Sequence, residues 1–163
     1  MRSPLIIATT AGKSERYARL AEEIDAVLDG EPDQVARMAT VSAMLAAEFE
    51  AFFWTGFYCV DPLKDRELVV GPYQGSLGCL RIAYGRGVCG TAAERRETLI
   101  VPDVEAFAGH IACDSRSRSE IVVPVIGASG VLIAVLDVDS TELAAFDAND
   151  AAGLEAIVRR VFG

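Results

Sequence analysis

Residues 120–126 read EIVVPVI, residues 131–138 read VLIAVLDV, and the connection GASG lies between them at 127–130. Two runs rich in β-branched residues, joined by a short segment with glycine at both ends, are the signal of an antiparallel hairpin. A symmetric loop centred on that connection places Ile126 opposite Val131 and Glu120 opposite Asp137. Asp139, two residues on, shares the face of Asp137. Like charges directly opposite each other destabilise a sheet, so acids converging at the open end of one hairpin need a physical reason. Either that end is solvated, or the carboxyl groups form a cluster that shares a proton. Such a cluster is able to bind a cation and to donate a proton.

The segment leading into the hairpin carries further reactive groups. Cys113, in the run His110-Ile111-Ala112-Cys113-Asp114, lies seven residues before Glu120 in a stretch rich in Gly, Asp, Ser and Arg. The whole of 103–118 reads as a long loop, and loops of that length in compact domains are usually functional. Cys89, in Gly87-Val88-Cys89-Gly90-Thr91, precedes an Ala/Glu/Arg segment of good helix propensity. A thiol at a helix N-terminus has a lowered pKa. A lone cysteine is more often a small buried hydrophobe, but several in glycine-rich loops near acids are not well explained that way.

The 163-residue chain has the length of one domain and is 52% hydrophobic, which indicates a packed globular core. Its net charge of -9 argues against a nucleic-acid or anionic-membrane surface. Residues 4–9 are too short for a signal core and no apolar run is long enough to span a bilayer, so a cytoplasmic location is expected. In that compartment four cysteines point to catalysis or metal binding rather than a disulfide framework.

Residues 1–13 read as a loose lead-in to a single domain over 14–163. Tyr17, Leu20, Ala21, Ile24, Val27 and Leu28 form one helical face, with Ser14 as its cap and Gly30 as its stop. Pro32 suits the first turn of a second helix, whose stripe is Val35, Met38, Ser42, Leu45 and Phe49. These helices are expected to flank a sheet or a partner subunit. A strand over about 52–60 puts Trp54 and Tyr58 on one face and Phe57 and Cys59 on the other. Cys59 has no nearby partner and reads as structural. Trp54 and Tyr58 are core aromatics or, at a cavity mouth, the wall for a ligand's apolar group. After a turn at 62–65, residues 67–70 return as a strand; residues 71–75 read as irregular. Cys79 sits at the edge of a short strand, and residues 98–101 form another. Asp147 caps a final helix with the stripe Leu154, Ile157, Val158 and Val161. The class is α+β: an antiparallel sheet of about six strands flanked by N- and C-terminal helices.

The runs at 85–92 (GRGVCGTA), 110–114 (HIACD), 117–122 (SRSEIV) and 136–140 (LDVDS), with WTGFY at 54–58 and Gln74-Gly75, resemble the signatures of the free methionine-R-sulfoxide reductases. These are GAF-fold enzymes that act on the free amino acid. The likeness runs from about Tyr17 to Ile157. It implies a GAF-like fold, reduction of free L-methionine-R-sulfoxide, an antioxidant role, no bound cofactor or metal, recycling by thioredoxin and a homodimer. It also implies that Cys113 attacks, that Cys79 resolves it as a redox-active disulfide, and that Cys89 is able to exchange with either. Cys59 matches no family cysteine.

The residues suit this chemistry. A thiolate attacks sulfur, and a carboxylic acid kept protonated by a like-charged neighbour supplies a proton to the oxygen at neutral pH; Glu120 paired with Asp137 is the candidate. Asp137 or Asp139 suits a substrate ammonium. Backbone N–H groups near a helix N-terminus, Arg116 or Arg118 suit a carboxylate. Trp54 and Tyr58 suit an S-methyl group. His110 has no catalytic role in this reading. Two other readings compete: a GAF module that senses a small ligand or nucleotide without using the cysteines, and a metal site of Cys79, Cys89, Cys113 and His110. The second lacks the closely spaced ligand pairs of most structural zinc sites.

Overall fold

The computed structural model describes residues 12–163. The lead-in expected over residues 1–13 lies outside the described residues as far as position 11, whereas Lys13 already belongs to the first helix. The elements are α1 (Lys13–Val27), α2 (Gln34–Glu48), β1 (Trp54–Val60), β2 (Glu67–Gln74), β3 (Arg81–Ala83), α3 (Gly87–Arg95), β4 (Leu99–Val101), β5 (Ser119–Ile126), β6 (Leu132–Ser140) and α4 (Ala148–Phe162). The strands form one antiparallel sheet in the order β3-β2-β1-β6-β5-β4, as the α+β reading expects.

Strand alternation divides the sheet into two environments. Phe57, Ile121, Val123, Val125, Ala134, Leu136 and Val138 point to the face covered by α2 and α4, with α1 packed against those two helices. There they meet Leu20, Ile24, Met38, Val41, Leu45, Leu154 and Ile157 in an apolar core. Trp54, Tyr58, Val122 and Val135 point to the opposite face, where Val88, Cys89, Ala92 and Ala93 of α3 pack.

Several local expectations change. Gly12, not Ser14, occupies the N-cap of α1, with no side-chain cap. Ser14 instead donates to Asn149 Oδ1 at 3.2 Å. Lys13 spans to Asp150 and Asp147, and Tyr17 donates to Asp150 Oδ1 at 2.7 Å, fastening α1 to the start of α4. The cap of α2 is Asp33, which accepts from the Ala36 N–H, so Pro32 precedes the helix rather than opening it. Val27 and Val35 are exposed and lie off their stripes. The remaining stripe of each helix is buried within the chain except for the half-buried Leu28, with α2 against β1 and β2 and α1 against α2 and α4. Ser42, the weak link in the α2 stripe, is satisfied by donating to the Met38 carbonyl. Residues 71–74, read as irregular, continue β2 by pairing with β1 alone, Tyr73 opposite Gly56 and Gln74 opposite Thr55, whereas β3 pairs only with Glu67, Leu68 and Val69 on the other edge. A short 3-10 turn, Val104–Ala106, interrupts the long loop. Asp147 caps α4 with a reciprocal capping box to Asp150, as expected.

The hairpin register also differs. Ile126 pairs with Leu132, and an irregularity between Val125 and Ile126 adds one more step, so Glu120 faces Asp139 and Val122 faces Asp137. The loop is longer than a symmetric four-residue turn: the Gly127 N–H bonds to the Val131 carbonyl and the Gly130 N–H to the Gly127 carbonyl. Because the total displacement is two residues, every side chain keeps its face and the acids still converge.

Candidate active site

Three acids meet on the α3 side of the sheet. Asp137 and Asp139 project from β6, and Glu120 on β5 stands opposite Asp139. On the other flank Trp54 of β1 pairs with the same Asp139. The solvated reading of this end fails: Glu120 is 5% exposed and Asp137 4%, and Asp139 is half-buried. Burial pushes all three carboxyl groups up. Asp137 is held well above the usual carboxylate range, by burial first and then by the charges of Asp139 and Glu120. Asp139 is held well above it by burial and then by Glu120. The rise at Glu120 is opposed by a hydrogen bond from Asp137 and by His110, so the cluster holds its proton most firmly on the aspartates. Asp137 Oδ1 is buried with no hydrogen-bond partner, an oxygen left for a ligand or a proton.

Cys89 is pressed onto this cluster from above, in the first turn of α3. Gly90 permits the approach, since a Cβ there would collide with the Ala83 carbonyl. The Cys89 Sγ lies 3.8 Å from Glu120 Oε1. A lowered thiol pKa, expected from the helix N-terminus, is not what this environment produces. Burial, then the charges of Asp137 and Glu120, push the thiol well up, because a half-charge dipole at a helix end is outweighed by desolvation and nearby carboxylates.

Cys79 and Cys113 form a disulfide with Cα atoms 5.3 Å apart. Cys59 and Cys89 are free thiols. The two bonded cysteines sit on separate loops that a second link ties together: Ser76 donates to Asp114 Oδ2 at 2.8 Å. The first loop is seated on the aromatics beneath it. Trp54 Nε1 donates to the Ser76 carbonyl at 2.9 Å, and a Cβ on Gly78 would run into the Trp54 ring and the Tyr58 hydroxyl. Trp54 stacks on Tyr58 and Tyr73, with centroids 5.5 and 4.9 Å away. The second loop is braced by Arg116, which binds Asp114 through two nitrogens at 3.0 and 2.7 Å and covers the Phe53 ring. Arg116 holds the Asp114 carboxyl well below the usual range.

These parts line a cavity partly open to solvent, with about 520 Å³ of empty space when the open mouth is included. Trp54, Tyr58, Cys89, Cys113, Glu120, Asp137 and Asp139 all line it, whereas Cys79 does not. Cys113 is exposed at the mouth, Cys79 is half-buried and Cys89 lies on the floor. Of the three groups considered for a carboxylate, neither Arg116 nor Arg118 lines the cavity, whereas Arg86, Gly87 and Val88 at the start of α3 do. The four-residue metal set is not assembled, because two of its thiols are joined to each other. His110, to which the sequence analysis gives no catalytic role, lines the cavity with its Nε2 3.8 Å from Glu120 Oε2, and the Ser76–Asp114 link was not anticipated. The spacing of His110 and Cys113 on one loop was the only available signal for the first; nothing local signals the second. Cys59 is remote from the cavity, on the helical face, with its Sγ 3.6 Å from the Met38 sulfur.

Residues 15–161 match the GAF domain model. The chain is 51% identical over 147 residues to GAF domain-containing protein A of Dictyostelium discoideum, covering 90% of each chain. It is 43% identical over 149 residues to the free methionine-R-sulfoxide reductase of Escherichia coli, covering 91% of this chain and 88% of that one. The X-ray structure of the Neisseria meningitidis free methionine-R-sulfoxide reductase in complex with its substrate superposes with a TM-score of 0.88 at 44% identity, over 94% of this chain and 90% of that one. The chain belongs to the free methionine-R-sulfoxide reductase family of GAF-domain proteins.

Proposed function

We propose that this protein reduces free L-methionine-R-sulfoxide to methionine with Cys113 as the attacking thiol. The observation that carries the reading is the Cys79–Cys113 disulfide at the mouth of a cavity floored by Glu120, Asp137 and Asp139. A zwitterionic substrate fits this polarity. Asp137 and Asp139 receive its ammonium. The unpaired N–H groups of the first turn of α3 receive its carboxylate. Trp54 and Tyr58 supply the apolar wall for the S-methyl group.

In the reduced enzyme the Cys113 thiolate attacks the sulfoxide sulfur while Glu120 passes a proton to the oxygen, resupplied through its hydrogen bond from Asp137. Methionine departs with the electron pair on its sulfur, and the oxygen ends on Cys113 as a sulfenic acid. The Cys79 thiol displaces that oxygen as water and closes the disulfide. The net change is sulfoxide plus two thiols to thioether, disulfide and water. An external dithiol, thioredoxin in this reading, then reduces the bond. Cys113 is exposed, and Leu77, Leu80 and Ile111 around the two cysteines are exposed apolar side chains that a protein dithiol could cover. Cys89, buried and held protonated, serves as a reserve thiol rather than the first nucleophile. A cytoplasmic homodimer completes the reading. Among the described residues no helix is long and apolar enough to cross a membrane.

A thioredoxin-coupled assay on separated epimers tests this. The free R epimer should be consumed, and the S epimer and peptide-bound methionine sulfoxide left untouched. Equal turnover of both epimers, or none of either, would refute it. A GAF module that only senses a ligand would bind without turnover and be indifferent to Cys113→Ser.

A further inference from the structure

Reduction of a sulfoxide requires from the cavity floor a proton and an ammonium contact. The floor holds more than that. One ligand atom each of Cys89, Glu120 and Asp137 falls within 4.8 Å of the other two. All three side chains are buried, at 4%, 5% and 4% exposure. They are delivered by three different elements, α3, β5 and β6, so no loop movement is needed to bring them together. Asp137 Oδ1, buried and unpartnered, belongs to a residue that lines the cavity. It is therefore an unused ligand atom at the cavity floor.

We propose that Cys89, Glu120 and Asp137 form a binding site for a thiophilic divalent cation, Zn²⁺ in the first instance, which occupies the cavity floor and inhibits the enzyme. Ligand atoms around tetrahedral zinc, at bond lengths of roughly 2.0–2.3 Å, stand about 3.5 Å apart. The Cys89 sulfur and Glu120 oxygen, at 3.8 Å, are nearly at that spacing, and the remaining pairs close to it with a shift of roughly 1 Å. Solvent from the cavity fills the fourth position, or His110 does so, since its Nε2 lies 3.8 Å from Glu120 Oε2. A thiolate in the donor set selects zinc over magnesium or calcium, which prefer oxygen. The exchange is balanced without redox chemistry: the ion takes the place of the thiol proton and of protons held on the carboxyl groups, which leave to solvent. A dication also removes the mutual repulsion of two buried acids, the cost that otherwise keeps them protonated. It would sit where the proposed reading places the substrate ammonium, so inhibition should be competitive with the sulfoxide.

The test uses the intact oxidised protein, in which the disulfide consumes Cys79 and Cys113 and only Cys59 and Cys89 remain free. Zinc captured by a pair of redox thiols is thereby removed as an explanation. Titration with Zn²⁺ against a chromophoric chelator should show one ion per chain, and Co²⁺ should give a thiolate-to-metal charge-transfer band. Cys89→Ser should abolish that band, and Cys89→Ser and Asp137→Asn should each weaken zinc binding by about tenfold or more. Cys59→Ser should change neither. Circular dichroism checks that the variants are folded, and Asp137→Asn keeps the test alive if Cys89→Ser is not. Absence of stoichiometric binding to the wild-type chain would overturn the inference, as would a cobalt band that survives in Cys89→Ser or disappears in Cys59→Ser. Either result would leave the reductase reading standing, since that rests on turnover of the metal-free enzyme.

Discussion

The two faces of one sheet both bury side chains, the helical face more of them, and do opposite things with them. On the helical face Phe57, Leu136, Val138, Ile157 and their neighbours form an apolar core. Of the polar groups bordering it, Ser42 is satisfied by a backbone carbonyl and Asp150 by Lys13 and Tyr17, while Thr55 Oγ1, opposite Val138, has no partner. On the α3 face the same strands place Glu120, Asp137 and Asp139 beside a buried thiol and leave Asp137 Oδ1 without a partner. Unsatisfied buried polar groups cost stability, and carboxyl groups crowded together in low dielectric hold protons they would otherwise lose. One face of the sheet is thus optimised for packing, while the other gives up stability to keep a proton and a charge-binding oxygen in place. The difference teaches where substitutions should strike chemistry and where they should strike folding.

The strongest break in the comparison is Cys113→Ser. It should abolish the methionine released in a single turnover without reductant, because serine is too poor a nucleophile toward a sulfoxide without strong activation. If Cys113→Ser still gives that release and Cys89→Ser does not, Cys89 is the attacking thiol. Next comes Cys79→Ser, which should release about one methionine per subunit and then slow sharply, since attack needs only Cys113. The residual cycling should nearly vanish in the Cys79/Cys89 double variant.

Asp137→Asn should separate the two costs on the cavity face. It should slow the single-turnover step by about 10²-fold, the usual scale for a lost proton donor. It should also change stability with a definite sign. The folded pKa of Asp137 is raised, so its contribution to folding is fully present below the unfolded value near 3.9 and is lost as pH rises through the folded value. Asparagine does not ionise. The melting temperature of the variant relative to wild type should therefore climb as pH is raised from about 4 to about 8; a difference that stays flat would show that Asp137 does not hold its proton.

Leu154→Ala, fully buried on the helical face, should cost about 3 kcal/mol by denaturant unfolding and leave the single-turnover yield per folded molecule unchanged. The smallest effect belongs to Cys59→Ser, about 1 kcal/mol with chemistry intact. A catalytic defect there would break the division between the faces.

The fold was legible in the sequence where local physics dictates it. Helical stripes, the Asp147 cap, the 127–130 connection and strand alternation each depend on neighbours a few residues away. Trp54 and Tyr58 were separable from Phe57 and Cys59 by alternation alone, and the family motifs marked the cysteines. Misreadings fell where a competing local signal existed. Pro32 drew attention from Asp33, and the glycines and proline of 71–75 masked the end of a strand that is held there by β1 along one edge.

By itself, then, the sequence determined the α+β class, the faces of the strands and the convergence of three acids, because period-two alternation survives a register shift of two. Only the tertiary structure decided that the acids are buried rather than solvated, that Glu120 faces Asp139, and that Cys89 is a protonated thiol on the cavity floor rather than an activated one at a helix end. It also decided how Cys79 meets Cys113 across 34 residues, through a loop seated on Trp54 and tied to the other by Ser76 and Asp114. Register depends on the loop's hydrogen bonds, and burial and pKa depend on which distant segments close over a side chain. Neither is written in any window of neighbouring residues.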